Sequence, residues 1–166
     1  ITLKGVVIGP TFFFEQKMLD WGNVSYGFLR TKEVSIVNSS EIPMRFSLRV
    51  PEDEKYMQRE FKMVPPTGQI LPNDTGKVRV DFVPQTKKKY NGYNLSIDVD
   101  GVGKNLKSIP MFANCKVPEF VPGVKEIDFG EIFRDYPYTQ PLPLLNSNEL
   151  PGRFEVKGQQ EITEKL

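Results

Sequence analysis

Pro10, Phe12, Lys17, Leu19-Asp20-Trp21-Gly22, Asn38-Ser39, Glu41, Pro43 and Arg45-Phe46 form a spaced set that occurs twice in this chain. They return as Pro118, Phe120, Lys125, Ile127-Asp128-Phe129-Gly130, Asn146-Ser147, Glu149, Pro151 and Arg153-Phe154, each 108 positions further on. The whole stretch from Pro10 to Val50 runs onto Pro118 to Gly158 without a gap. Self-similarity at a fixed spacing means one structural unit built more than once. The hydrophobic phase repeats with it. Val34 and Ile36 alternate with polar neighbours, and Leu142 and Leu144 hold the same places; Phe46 and Leu48 return as Phe154 and Val156. A period of two sets such side chains on one face of a strand. A slip of one residue would turn that face to water, so matching phase implies matching structure.

The copies are cut unevenly. Residues 10–117 read as one complete β-sandwich. Residues 118–166 read as the first half of a following one. Residues 1–9 sit where 109–117 sit one repeat later, and read as the last strand of a preceding sandwich. The chain opens on Ile1, which reads as an internal start.

Within the complete copy the expected strands are Thr11–Phe14 with Met18–Gly22 as a broken first strand, then Phe28–Asn38, Met44–Val50, Phe61–Val64 and Lys77–Val83. Tyr93–Val99 and Leu106–Lys116 form a hairpin across Gly101-Val102-Gly103. The 14 prolines and 13 glycines fall mostly between these runs, where they end strands and allow turns. Short strands with regular turn signals indicate an all-β chain of tandem immunoglobulin-like antiparallel sandwiches. Glu52–Arg59 reads as a loop, with one turn of helix as the alternative. Trp21, Val34, Ile36, Phe46, Val80 and Phe82 are the expected core.

The 166 residues carry 22 basic and 21 acidic side chains, a net charge of +1, so no global field draws the chain to nucleic acid or to an anionic membrane. The longest apolar runs, such as Val6-Val7-Ile8, are far too short for a bilayer span. No histidine is present, which removes the commonest general base and zinc ligand. The single cysteine, Cys115, allows neither an internal disulfide nor a thiolate cage, suits a reducing compartment, and reads as core. No catalytic, cofactor or metal constellation is expected. The acidic runs Glu52-Asp53-Glu54 and Asp98/Asp100 read as a solvated loop and a hairpin entry. Gly101-Val102-Gly103 lacks the helix and the Lys-Ser/Thr pair of a phosphate loop. Sequons at Asn23, Asn38, Asn73 and Asn94 read as turn chemistry. One local charge excess remains. Lys87, Lys88 and Lys89 read as an exposed turn and as the candidate contact for an acidic partner, microtubules included.

In order along the chain come an apolar-Asp-aromatic-Gly opening at Leu19–Gly22, a strand ending at Asn38, and Pro43 with Phe46. Pro65, Gly68, Ile70 and Pro72 follow, and then the alternating run Val78–Pro84. This order resembles the PapD-like, ASH-type repeats of cilium- and centrosome-associated proteins in the major-sperm-protein superfamily. The resemblance implies a non-enzymatic scaffold of the motile-cilium axoneme, in its central-pair apparatus. The implied partners are other axonemal proteins and neighbouring repeats of the same chain, with no nucleic acid, membrane or cofactor. It places the chain in the cytoskeleton of the ciliary axoneme. Two other functions fit the superfamily. One is a cytoplasmic peptide-binding adaptor, whose members carry two lysines after the residue matching Phe46, where this chain has Ser47 and Arg49. The other is an extracellular or periplasmic adhesion or chaperone module. At the junctions each unit runs straight into Pro10 or Pro118 with no Gly/Ser spacer, from which a stiff, set-angle array is expected.

Overall fold

A computed structural model describes residues 1–6, 8–56 and 59–158, with backbone alone at 55 and 56. Val7, Met57, Gln58 and residues 159–166 lie outside the described residues, and with them part of the Val6–Ile8 run, part of the Glu52–Arg59 segment and the end of the second copy. The chain divides into two units, Ile1–Lys116 and Val117–Leu166.

In the first unit, β1 (Phe12–Phe14), β3 (Arg30–Asn38), β5 (Phe61–Val64) and β7 (Thr75–Phe82) make one sheet in the order β1-β3-β7-β5. The second sheet takes β2 (Leu19–Ser25), β4 (Met44–Arg49), β6 (Thr67–Ile70), β8 (Lys89–Val99) and β9 (Gly103–Lys116), in the order β2-β9-β8-β4-β6. β1 and β2 are the two halves of the expected broken strand, and the break is where the chain changes sheet. The Gln16 side-chain carbonyl accepts the Ser35 amide at 2.9 Å just beyond β1, closing that ladder. Having crossed, β2 meets β9 in parallel, Leu19 against Met111 and Ser25 against Lys116. The expectation of a wholly antiparallel sandwich is corrected at this one ladder.

β6 went unforeseen because Pro65-Pro66 and Pro72 bracket it and read as punctuation. It sits at a sheet edge, where flanking prolines cost no ladder bonds. Gly68 within it is required by packing. A Cβ there would stand 2.9 Å from the Phe46 ring. The expected loop after β4 is instead a short helix, α1 (Pro51–Tyr56). Proline suits a first helical position, and three carboxylates in the first turn suit the positive end of the backbone dipole.

Val34, Ile36, Phe46, Val80 and Phe82 are buried, as alternation requires. Each such side chain contributes about 1.5–3 kcal/mol through lost apolar exposure. Phe61 stacks on Phe82 at 4.5 Å, and Tyr90 stands edge-on to Phe82 at 5.0 Å. Trp21 leans on Phe82 at 5.4 Å but is only half-buried, because it lies on the outermost strand of its sheet.

The second unit contains β10 (Phe120–Pro122) paired with β11 (Leu144–Asn146), Phe120 against Asn146. In the first unit Phe12 stands against Asn38 in the same way. The two registers coincide under the 108-residue repeat.

Candidate interaction surface

Asn38 shows how local sequence sets the end of the sandwich. It is fully buried at the end of β3, and its Nδ2 donates to the carbonyls of Ile42 (2.8 Å), Leu71 (3.1 Å) and Ile70 (3.3 Å). Its Oδ1 accepts from the Ser40 amide at 3.1 Å and the Ser40 hydroxyl at 2.6 Å. Asn146 repeats part of this, donating to Leu150 O at 2.8 Å and accepting from the Asn148 amide at 3.1 Å. The Asp-aromatic-Gly element also repeats. The Gly22 amide donates to Asp20 at 2.8 Å with φ +63°, and the Gly130 amide to Asp128 at 2.7 Å with φ +62°. Glycine is needed there because the aspartate-closed turn bends into the left-handed region.

The sequons divide. Asn38 is an inaccessible corner residue and Asn73 sits in a turn at φ +56°, which fits turn chemistry. Asn23 and Asn94 instead lie within β2 and β8, correcting the expectation for those two. Asn94 Nδ2 donates to Glu52 at 3.0 Å, and Asn114 Nδ2 donates to Asn23 Oδ1 at 2.9 Å.

The acidic cluster is not a solvated loop. Glu52 takes the amide of Asn94 at 3.0 Å, and Asp53, buried, takes those of Glu60 and Phe61, both at 3.1 Å. Glu54 lies 3.7 Å from Arg49. Arg49 is further bound to Asp98 at 3.0 Å and donates to Asn105 Oδ1 at 2.7 Å. Burial opposes ionisation of Asp98, but the Asn105 amide and the Arg49 guanidinium outweigh it and hold the carboxyl below its usual range. Arg49 is therefore neutralised inside the fold and Ser47 carries no charge, so neither adaptor position presents a cation.

Lys87, Lys88 and Lys89 come together at the start of β8, but they are not equivalent. Lys87 and Lys89 are exposed, whereas Lys88 turns inward. Its ammonium donates to Tyr93 Oη at 2.8 Å and stands 4.7 Å from the Tyr90 ring centre and 5.2 Å from that of Tyr93. The expectation of three exposed turn lysines is corrected for Lys88, whose charge is held by aromatic faces. Beneath it, buried Glu60 accepts from Tyr90 Oη at 2.6 Å and from the Gln85 amide at 2.7 Å. Burial, then Glu60, push the Tyr90 phenol above its ordinary range. Cys115 is buried as expected, and burial, then the charge of Glu60, raise its thiol.

The cations have a neighbour that linear reading missed. Lys89 pairs with Asn114 on β9, and the Cys115 amide donates to Lys88 O at 2.9 Å. Exposed Lys116 follows Cys115 and so ends β9 next to the bend that carries Lys87 and Lys88. Alternation in β9 put Lys116 on the outer face, but only the β8–β9 register shows which lysines it joins. A shallow concavity beside them is lined by Asp20, Asn23, Lys89, Phe112 and Asn114. Among the described residues, no group of three or more His, Cys, Asp or Glu is placed to hold a metal ion. No helix of the described residues is long and apolar enough to cross a membrane.

A family model described as "HYDIN/CFA65/VesB-like, Ig-like domain" matches residues 10–109. The chain belongs to this family. A second model, "Flagellar-associated PapD-like", matches residues 117–166 of this hydin-like chain. Neither is an enzyme family. The chain is 35% identical over 185 residues to the hydrocephalus-inducing protein homolog of Homo sapiens, covering 96% of this chain and 4% of that protein. To the hydrocephalus-inducing protein of Mus musculus it is 34% identical over 182 residues, covering 94% of this chain and 4% of that protein. It thus spans about 4% of the length of these relatives. Among solved structures, the ASH/PapD-like domain of human CEP192 (PapD-like domain 7) aligns with a TM-score of 0.51 and 12% identity, covering 72% of this chain and 99% of that one. At that identity the likeness concerns the fold, a PapD-like, immunoglobulin-like sandwich.

Proposed function

We propose that this hydin-like chain is a non-enzymatic scaffold segment of the motile-cilium axoneme, in its central-pair apparatus, and that it binds other axonemal proteins from a semi-rigid array. In this reading residues 1–9 close a preceding sandwich, 10–117 form a complete one, and 118–166 open the next. The observation that carries it is the repeated register, Phe12 against Asn38 and Phe120 against Asn146, in a chain of this family. One unit built repeatedly, joined through prolines without a flexible spacer, suits spanning a distance better than turning over a substrate. The second family model, described as flagellar-associated, supports the ciliary setting. The test is the position of the fluorescently tagged parent protein in multiciliated cells. Signal along the axoneme that survives detergent extraction of the membrane is expected. Diffuse cytoplasmic signal, or glycosidase-sensitive secreted protein, would overturn the proposal.

A further inference from the structure

We infer that the outer face at the β8–β9 strand ends, carrying Lys87, Lys89 and Lys116 around Asn114, is a docking site for an extended acidic peptide, and that Lys88 has no part in it. This deepens the scaffold reading by giving one surface and one chemistry of partner. Elsewhere on the sandwich some cations are matched internally, Lys77 with Glu33 at 3.1 Å, Arg79 with Asp81 at 3.0 Å and Arg49 with Asp98 at 3.0 Å. Lys87, Lys89 and Lys116 are exposed, and none of them has a carboxylate partner among the described residues. Three unmatched cations on one face attract an anionic partner.

The spacing favours a peptide strand. Lys89 opens β8 and Lys87 sits two residues before it, in the bend that leads into the strand. An extended peptide with carboxylates at alternate residues offers more than one anion to such closely set cations. Lys116 follows Cys115, whose amide donates to Lys88 O at 2.9 Å, so it ends β9 next to the same bend. Beside the lysines the Asn114–Asn23 hydrogen bond uses Asn114 Nδ2 and Asn23 Oδ1, which leaves the Asn23 Nδ2 donor and the Asn114 Oδ1 acceptor for a peptide backbone. Phe112, part-exposed in the same concavity, offers an apolar contact. The one carboxylate lining that concavity, Asp20, is occupied by the Gly22 amide at 2.8 Å.

The experiment uses the 166-residue chain and a fluorescein-labelled peptide with glutamate at alternate positions, read by anisotropy. Binding should weaken as salt shortens the screening length from about 10 Å at 0.1 M towards about 3 Å at 1 M. The combined Lys87→Gln, Lys89→Gln and Lys116→Gln variant should bind about tenfold more weakly with its melting temperature unchanged. Lys88→Gln should keep the affinity and lower the melting temperature. Each single variant is measured too, so the site is judged on chains whose melting shows that they fold. Undiminished binding by the combined variant, loss of binding in Lys88→Gln, or equally tight binding of a single-stranded oligonucleotide of the same charge would each overturn the site. None of these outcomes bears on the axonemal position of the parent, which localisation tests separately.

Discussion

Residues 10–50 and 118–158 carry one pattern, yet the first copy folds into the four strands β1 to β4 and the second into the two strands β10 and β11. The difference lies in what each strand has to pair with. β1 and β3 pair with each other, and so do their counterparts β10 and β11. β2 takes its ladder from β9, more than eighty residues on, and β4 takes its ladders from β6 and β8. No counterparts of β6, β8 and β9 exist among the described residues of the second unit, and there Ile127–Gly130 and Phe154–Val156 form no strand. The Asp128–Gly130 turn forms all the same, because it needs only its own three residues. Even β3 shows the rule. It runs for nine residues, eight of them paired with β7, while β11 keeps only the three that face β10. Short-range elements survive alone; a sandwich strand needs its distant partner.

The sharpest test of this comparison substitutes matched positions. Phe46 is 5% exposed and Phe154 is 61% exposed. Phe46→Ala should cost about 3–5 kcal/mol in urea denaturation, through lost burial and the cavity left against Gly68. Phe154→Ala should leave that transition where it was. Equal losses at both positions would mean that the second unit folds as cooperatively as the first.

Asn38→Ala should come next, at about 1–3 kcal/mol, since removing the amide strands buried carbonyls at the end of β3. Asn146→Ala, where the same bonds lie near solvent, should shift the melting temperature little. Within the first unit, Lys88→Gln should destabilise by about 1 kcal/mol, and Lys87→Gln and Lys89→Gln by less than about 0.5 kcal/mol, because only Lys88 sits over aromatic faces.

The smallest expected effect is electrostatic. The folded Asp98 carboxyl titrates below its ordinary value of 3.8, so its contribution is present above that value and is lost as pH falls through the lower folded one. Asp98→Asn should therefore lower stability at pH 7, where the contribution is present, and flatten the acid limb of a stability-against-pH curve below about pH 4. A wild-type acid limb that Asp98→Asn leaves untouched would show that the Arg49–Asp98 link carries no such stability.

Much of this was legible in the chain itself. Alternation at Val34, Ile36, Val78 and Val80 marked strands and their inner faces, because a strand's period of two is a local property. The repeat marked Asn38 and Gly22 as recurring strand-end positions before any contact was visible. Hidden from such reading were the parallel β2–β9 ladder and the edge strand β6 between its prolines, because their ladder partners come from elsewhere in the chain. The candidate site divides along the same line. Three consecutive lysines announced a cationic place, but local sequence could not tell that Lys88 turns onto Tyr90 and Tyr93 or that Lys116 ends β9 beside them. Those two facts arise from the β8–β9 register and from which side chain the sheet turns inward. Sequence by itself determined the repeated unit, its strand faces and its turns, since each depends on neighbours along the chain. Tertiary structure alone decided which strands found a partner and which charges were left unmatched, since both depend on residues brought together only by folding.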